Sequence, residues 1–372
     1  MYLLCGLTFL AGSTIVSAGS AQNAYDNHLI ALMMNAESRR VNTYSEYSLN
    51  ASACYGDLGC FSRQPLGYLP EPPQSISPKF RLYTPTSDSA ARVYGYESTV
   101  GQEDEETQKS LRDPRKKLVF VAHGFGGNGD LSWLHEIKEA KTKVHGDNVI
   151  IVDWTKGARA STLYFGAAAN ADVVGRIAAH LCLKLVEEYA IPLENVEFIG
   201  FSLGAQVAGF FAKEVFQIWG EKIGKITALD CAAPLFEVNG IWPSKEHVHF
   251  LEAVHTSAGN VLWRGKVGLS MDYGHVDYYP NGGIDQPGCR FLDLACAHNR
   301  AYEYYVEALT SIQNCLYRGF PCASVEHAFK GSCHPVLDAR HFISQFNATA
   351  EHAIFFLRTN DAKPFCMTDY QL

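Results

Sequence analysis

The chain has 372 residues, 47% of them hydrophobic and 19% charged, and a formal net charge of −8. That composition belongs to a globular protein with a sizeable core, arranged as one large domain or two ordinary ones. The acidic balance leaves no footprint for nucleic acid and no broad attraction to anionic membranes.

In chain order, residues 1–21 come first. Met1 to Ala18 is apolar and ends in small residues, and both Val16-Ser17-Ala18 and Gly19-Ser20-Ala21 have the form of a cleavage site. The stretch reads as a secretory signal peptide, although no basic residue follows Met1. No later segment approaches the ~18 to 20 apolar residues of a membrane span. Residues 22–52 are polar and carry the dibasic pair Arg39-Arg40, as in an N-terminal arm or propeptide. Residues 53–372 are left as the folded domain.

The cysteines agree with export. Of eleven, Cys5 would leave with the signal peptide, and seven of the other ten cluster at short spacings: Cys54/Cys60, Cys289/Cys296 and Cys315/Cys322/Cys333. Such loops suit disulfide staples in an oxidising, extracellular compartment. None has the paired C-x-x-C spacing of a zinc site. Two sequons, at Asn50 and Asn347, are candidate glycan acceptors.

Within the domain, Phe80 to Thr84 alternates like a strand, and the charged run Gly101 to Lys117 reads as a solvated loop. From there strand and helix patterns alternate. Leu118 to Ala122 is an apolar strand ending in His123-Gly124-Phe125-Gly126-Gly127, and Val149 to Asp153 is another. Ala168 to Tyr189 places Val173, Ile177, Leu181 and Leu185 at helical spacing. Val196 to Ile199 and Ile226 to Asp230 are further strands. Continuous apolar strands separated by helices predict an α/β fold, with a mostly parallel central sheet covered on both faces.

One strand runs into chemistry. Val196-Glu197-Phe198-Ile199 leads to Gly200-Phe201-Ser202-Leu203-Gly204, then to an Ala-rich helical stretch from Ala205 to Val215. Strand, G-x-S-x-G and helix form the nucleophile elbow of the α/β-hydrolase fold, in which a sharp turn lifts the serine hydroxyl above the sheet. A serine hydroxyl needs a base, an acid to orient that base, and donors for the oxyanion. In this fold the chain order is Ser, Asp or Glu, then His. Asp230 closes the strand after the elbow, at the edge where catalytic groups gather, although an Asp there can also cap a helix. Fourteen histidines offer a base. His298 and His275 both lie beyond Asp230, and chain order does not separate them. The oxyanion donors are expected to be the backbone N–H groups of Leu203 and Phe125.

At this point the chain resembles the pancreatic lipase family, the secreted lipase and phospholipase A1 group of α/β-hydrolases, from Cys54 to near the C-terminus. The residues that carry the resemblance are Ala53 to Phe61, Val121-Ala122-His123-Gly124-Phe125, Val152-Asp153-Trp154, Gly200 to Ala205, Leu229-Asp230, Gly274 to Gly283 and Cys296-Ala297-His298-Asn299-Arg300. The resemblance implies Ser202 as nucleophile, Asp230 as acid and His298 as base, with His275 structural. It implies the disulfides Cys54–Cys60, Cys289–Cys296 and Cys322–Cys333. The pairing of Cys182, Cys231, Cys315 and Cys366 stays open, with Cys182 and Cys231 candidates for buried free thiols.

The departures from the family are also informative. Phe201 stands where pancreatic enzymes have His, and Cys231 replaces the usual Pro after the acid. Ile241 to His247 lacks the acidic ligands of the family's calcium site, so no calcium, and no cofactor, is expected. The chain ends where the catalytic domain of the family is expected to end. The lid between Cys289 and Cys296 is reduced to Arg290, Phe291, Leu292, Asp293, Leu294 and Ala295. Six residues are too few for a covering helix, since isolated helices need ~12 or more. A minimal lid resembles the phospholipase A1 and galactolipase members and implies an exposed site, whereas the long apolar stretch Ser257 to Tyr273 resembles the covering loop of lipases. The sequence thus predicts a secreted serine esterase acting on a lipid surface, on triacylglycerol or on phospholipid sn-1 esters. The alternative is a lipid-binding or storage protein on the same scaffold. Protein partners are not legible.

Overall fold

The computed structural model describes residues 51–159, 163–259, 266–290, 293–310, 317–333, 340–341 and 352–367. The expected signal peptide and most of the arm lie outside them. A small hairpin, β1 (Ser52–Cys54) and β2 (Cys60–Ser62), opens the fold and is closed by the Cys54–Cys60 disulfide. Ser52, the last residue of the expected arm, is already in β1.

One sheet organises the rest. Its strands are β3 (Lys79–Tyr83), β4 (Arg92–Tyr94), β5 (Leu118–Ala122), β6 (Asn148–Asp153), β7 (Val196–Phe201), β8 (Ile223–Leu229), β9 (Val248–Val254), β10 (Val276–Pro280), β11 (Arg318–Cys322), β12 (Arg340–His341) and β13 (Ala353–Leu357). Their order is β12-β11-β13-β10-β9-β8-β7-β5-β6-β3-β4. From β6 to β13 through the centre every pairing is parallel. Antiparallel strands close both edges, β3 and β4 on one side and β11 and β12 on the other. This is the α/β-hydrolase architecture.

The central strands are buried on both faces because helices cover both. Along β5, Val119 and Val121 belong to one apolar cluster while Leu118, Phe120 and Ala122 belong to the other, as the period of two requires. The first face packs against α2 (Ser132–Glu139) and α5 (Leu294–Thr310), through Trp133, Ile137, Tyr304 and Tyr305. The second packs against α3 (Leu163–Tyr189) and α4 (Leu203–Trp219), through Val173, Ile177, Val207 and Phe211.

Two boundaries depart from the sequence reading. The charged run 101–117 is not simply a loop: it holds α1 (Glu105–Leu111). Asp104 caps this helix by accepting the Thr107 N–H at 2.8 Å, and Leu111 and Thr107 anchor its inner face. Seven residues with two apolar-side anchors are too short for a periodicity to stand out against their charge. In addition, β8 ends at Leu229, so Asp230 is the first residue beyond the strand rather than its last.

Candidate active site

Ser202 sits between β7 and α4 with φ 56° and ψ −122°, a conformation that costs a non-glycine residue of order 1–3 kcal/mol. The neighbouring glycines make the turn possible. A Cβ on Gly200 would lie 2.2 Å from the Gly204 carbonyl oxygen, and one on Gly204 would lie 2.3 Å from the Ala122 carbonyl oxygen. The serine backbone is tied to the next strand: its N–H donates to Leu229 O at 3.0 Å, and its carbonyl accepts the Ala232 N–H at 3.2 Å. Those two bonds bracket Asp230.

The loop after β5 lies against the serine. A Cβ on Gly124 would sit 2.7 Å from the Ser202 Cβ, so this backbone, with Phe125 next in line, borders the nucleophile. His123 holds the loop from below. Its Nδ1–H donates to Gly124 O at 3.0 Å, and its Nε2 accepts the Trp154 N–H at 3.2 Å. Trp154 in turn donates its indole N–H to His123 O at 2.9 Å. One donating and one accepting nitrogen define a neutral imidazole, and burial pushes its pKa down to about 4. Phe125 packs edge-on against Tyr164 of α3, with centroids 5.4 Å apart. Leu203 is the first residue of α4, where backbone N–H groups have no partner within the helix.

On the other side, Asp230 and His298 meet. His298 Nδ1 lies 2.5 Å from Asp230 Oδ2, and both side chains are buried. The imidazole ring lies 4.5 Å from the ring of Phe201, the residue before Ser202. Tyr302 packs edge-on to Phe201 at 5.0 Å, and Trp133 stacks on Tyr302 at 5.0 Å, so an aromatic wedge seats the imidazole beside the elbow. His275 is elsewhere: it stands just before β10, at the opposite edge of the sheet, where its Nδ1 accepts the Leu251 N–H at 2.9 Å.

The Asp230 carboxylate has further partners that the sequence reading missed. Oδ1 accepts the N–H groups of Thr256 (2.8 Å) and Ser257 (3.0 Å), and Oδ2 accepts the Ser257 hydroxyl. Burial alone would raise this carboxyl. The hydrogen bond and charge of His298, with the Ser257 and Thr256 donors, outweigh it and hold the group below its ordinary value. Thr256 and Ser257 come with one residue between them and the end of β9, at the same carboxyl edge of the sheet as Asp230. Applying the strand-end rule to every apolar strand, not only to the one after the elbow, would have found them.

Behind them is a buried pair. His255 Nδ1–H donates to Leu269 O at 3.0 Å, and Nε2 faces Asp277 Oδ1 at 2.8 Å. Burial opposes the charge, but the Asp277 carboxylate wins and raises the His255 pKa. Both nitrogens therefore donate, and the ring is an imidazolium. Tyr279 stacks on it at 4.3 Å.

The stretch Ser257 to Tyr273 is more than a cover. Its residues 260–265, including Val261, Leu262 and Trp263, lie outside the described residues. Its second half is knitted under the acid: Ala233 N–H bonds Val267 O at 2.7 Å, Leu269 N–H bonds Cys231 O at 2.9 Å, and Gly268 N–H bonds Ser257 O at 3.1 Å. Val267 and Leu269 are fully buried.

The expected lid lies only in part among the described residues. Phe291 and Leu292 lie outside the described residues, and Leu294 and Ala295 already belong to α5, whose start Asp293 caps by accepting the Cys296 N–H at 3.2 Å. Ser202 and His298 are 2% and 5% exposed.

Disulfides join Cys54–Cys60, Cys289–Cys296 and Cys322–Cys333. Cys182 and Cys231 are buried free thiols. Cys366 is disulfide-bonded, and its partner falls outside the described residues, as Cys315 does. No helix among the described residues is long and apolar enough to cross a membrane.

A family model described as Lipase matches residues 51–365. Pancreatic lipase-related protein 2 of Cavia porcellus is 31% identical over 340 residues, covering 87% of this chain and 75% of its own length. Pancreatic triacylglycerol lipase of Myocastor coypus is 31% identical over 359 residues, with the same 87% and 75% coverage. Among solved structures, a thermophilic carboxylesterase cloned from a metagenomic library aligns at 13% identity and a TM-score of 0.28, over 59% of this chain and 57% of its own. The matched span takes in the whole sheet, the strained Ser202 turn and the Asp230–His298 contact, and the chain belongs to the lipase family.

Proposed function

We propose that this protein is a secreted serine carboxylic-ester hydrolase that releases fatty acids from lipid esters. Ser202 attacks the ester carbonyl while His298 takes its proton. Asp230 orients the imidazole and stabilises the imidazolium that forms. The backbone N–H groups of Phe125 and Leu203 receive the oxyanion, each worth roughly 3 kcal/mol of transition-state stabilisation. His298 then protonates the leaving alcohol. Water, activated by the same base, attacks the acyl-enzyme and releases the fatty acid, restoring Ser202.

The observation that carries this reading is the 2.5 Å contact between His298 Nδ1 and Asp230 Oδ2, one strand away from a serine held in a strained turn. A serine with only a packing role has no use for such a turn. The disulfides support an oxidising destination, and the relatives' names point to triacylglycerol as one substrate. The short Cys289–Cys296 loop points to phospholipid as the other.

The test is fatty-acid release by the purified protein and its Ser202→Ala variant, from a triacylglycerol emulsion and from a phosphatidylcholine whose two acyl chains differ. Release from the sn-1 chain, lost in the variant, makes it a phospholipase A1. Release mainly from triacylglycerol makes it a lipase. No release from either, with no labelling of Ser202 by an organophosphonate in folded protein, overturns the enzyme reading in favour of a lipid-binding protein.

A further inference from the structure

Asp230 accepts four hydrogen bonds, and one of them comes from His298. The other three come from two consecutive residues, Thr256 and Ser257. Two of those are backbone amides on Oδ1 and would be supplied by any residue type. The third is the Ser257 hydroxyl, which shares Oδ2 with the imidazole N–H. The same hydroxyl oxygen lies 3.4 Å from His298 Nδ1, so hydroxyl, carboxylate oxygen and imidazole form a compact triangle. Ser257 is fully buried.

We propose that Ser257 is a positioning residue for ester hydrolysis: through Asp230 Oδ2 its hydroxyl sets the orientation of His298 and limits how tightly the carboxylate holds the imidazolium. The proposal rests on the roles given above to Ser202, Asp230 and His298. Its logic is a competition for one oxygen. A carboxylate oxygen that already accepts a charge-assisted bond from a hydroxyl has less to offer a second donor. With the hydroxyl gone, Oδ2 belongs to His298 alone, and the imidazolium becomes harder to deprotonate. The carboxylate also loses one of the two contacts that fix its rotation at Oδ2, so the imidazole is held less squarely towards Ser202.

Three other ionisable groups lie near Asp230. His255, backed by Asp277, has its pKa raised. Burial pushes Cys231 and Tyr273 far up, so both stay neutral.

The experiment compares wild type, Ser257→Ala, Ser257→Cys and Asp230→Asn on a soluble short-chain nitrophenyl ester. Rates are normalised to competent sites by organophosphonate titration of Ser202. Ser257→Ala is expected to lower kcat about tenfold with KM within about twofold. It is also expected to move the acidic limb of kcat/KM upward by about half a pH unit. Ser257→Cys, a weaker donor of similar shape, is expected to fall between Ala and wild type. An unmoved acidic limb and unchanged kcat in Ser257→Ala, beside an Asp230→Asn enzyme that has lost its turnover, overturns the Ser257 role alone. A lowered unfolding temperature with an unmoved limb also overturns it, because that is what a packing role predicts. Near-normal turnover in Asp230→Asn sinks the acid assignment, and the Ser257 role falls with it.

Discussion

The two sides of Ser202 are each supported by a buried histidine, and the two histidines are in opposite charge states. His123 under the oxyanion loop meets a carbonyl and an amide, so it donates once, accepts once and is neutral. His255 under the acid meets a carbonyl and a carboxylate, so it donates twice and is charged. Both are fully buried, and burial disfavours the charged form of either. The partner decides the outcome: a carboxylate at 2.8 Å overcomes desolvation, whereas an amide N–H aimed at the ring nitrogen forbids a proton there. One consequence is that the two histidines should lose their contributions in opposite pH directions.

The largest expected effect is on the acid side. Asp230→Asn keeps the shape but removes the charge that holds the imidazole tautomer, and kcat should fall about 10⁴-fold. Steady-state kinetics on a soluble ester checks this, and a loss below tenfold would remove Asp230 from the mechanism. Next is the prop behind it. His255→Ala removes the nearer of the two imidazoles beside the buried Asp277 carboxylate, leaving His352 at 3.7 Å and two amide donors, and should cost about 3 kcal/mol in urea unfolding at neutral pH. A cost under 1 kcal/mol would show that the His255–Asp277 pair does not hold the acid side together.

The pH dependences sharpen the contrast. The folded pKa of His255 lies above its unfolded value, so its contribution is complete below about pH 6.5 and is lost as pH rises through the folded value. Burial would raise Asp277, but its His255, His352 and amide partners hold it below its ordinary value, so its share is present above about pH 4 and is lost as pH falls through the folded value. His123 behaves the other way. Its folded value of about 4 lies below its unfolded one, so the unfolded chain takes up the proton first, and stability declines as pH falls from about 6.5 towards 4. The decline should approach about 3 kcal/mol, measured as the difference in urea stability between the two pH values for wild type but not for His123→Gln. A His123 ring signal that titrates near 6.5 by NMR contradicts it.

The smallest of these effects tests the packing around the acid. A Cβ on Gly268 would lie 2.4 Å from Asp230 Oδ1. Gly268→Ala must push the carboxylate off line, and kcat should fall about 10²-fold with the fold intact. An unchanged kcat would show that the cradle tolerates a shift and that His298 follows it.

Much of this was legible early. The parallel strands announced themselves as unbroken apolar runs, and the elbow as two glycines around a serine. The acid and base resembled known motifs closely enough to be proposed. The Thr256–Ser257 donors were not legible, because a hydroxyl and two amides after a strand look like any turn. His255 was hidden among the fourteen histidines, since its charge depends on Asp277, which reaches it only through the pairing of β9 with β10. The helix at Glu105 was masked by its own charges.

The sequence alone therefore determined what is decided within a few residues. The small residues of the Ser202 turn stand two positions either side of it, and a strand's unbroken apolar run marks it for burial on both faces. Chain order left His298 and His275 unseparated until a family resemblance chose between them, and tertiary structure alone decided what shares the Asp230 carboxylate and which buried imidazole is charged. Those outcomes depend on the field and the donors around each group. The sheet order supplies both by bringing the ends of β5, β7, β8 and β9 to one edge.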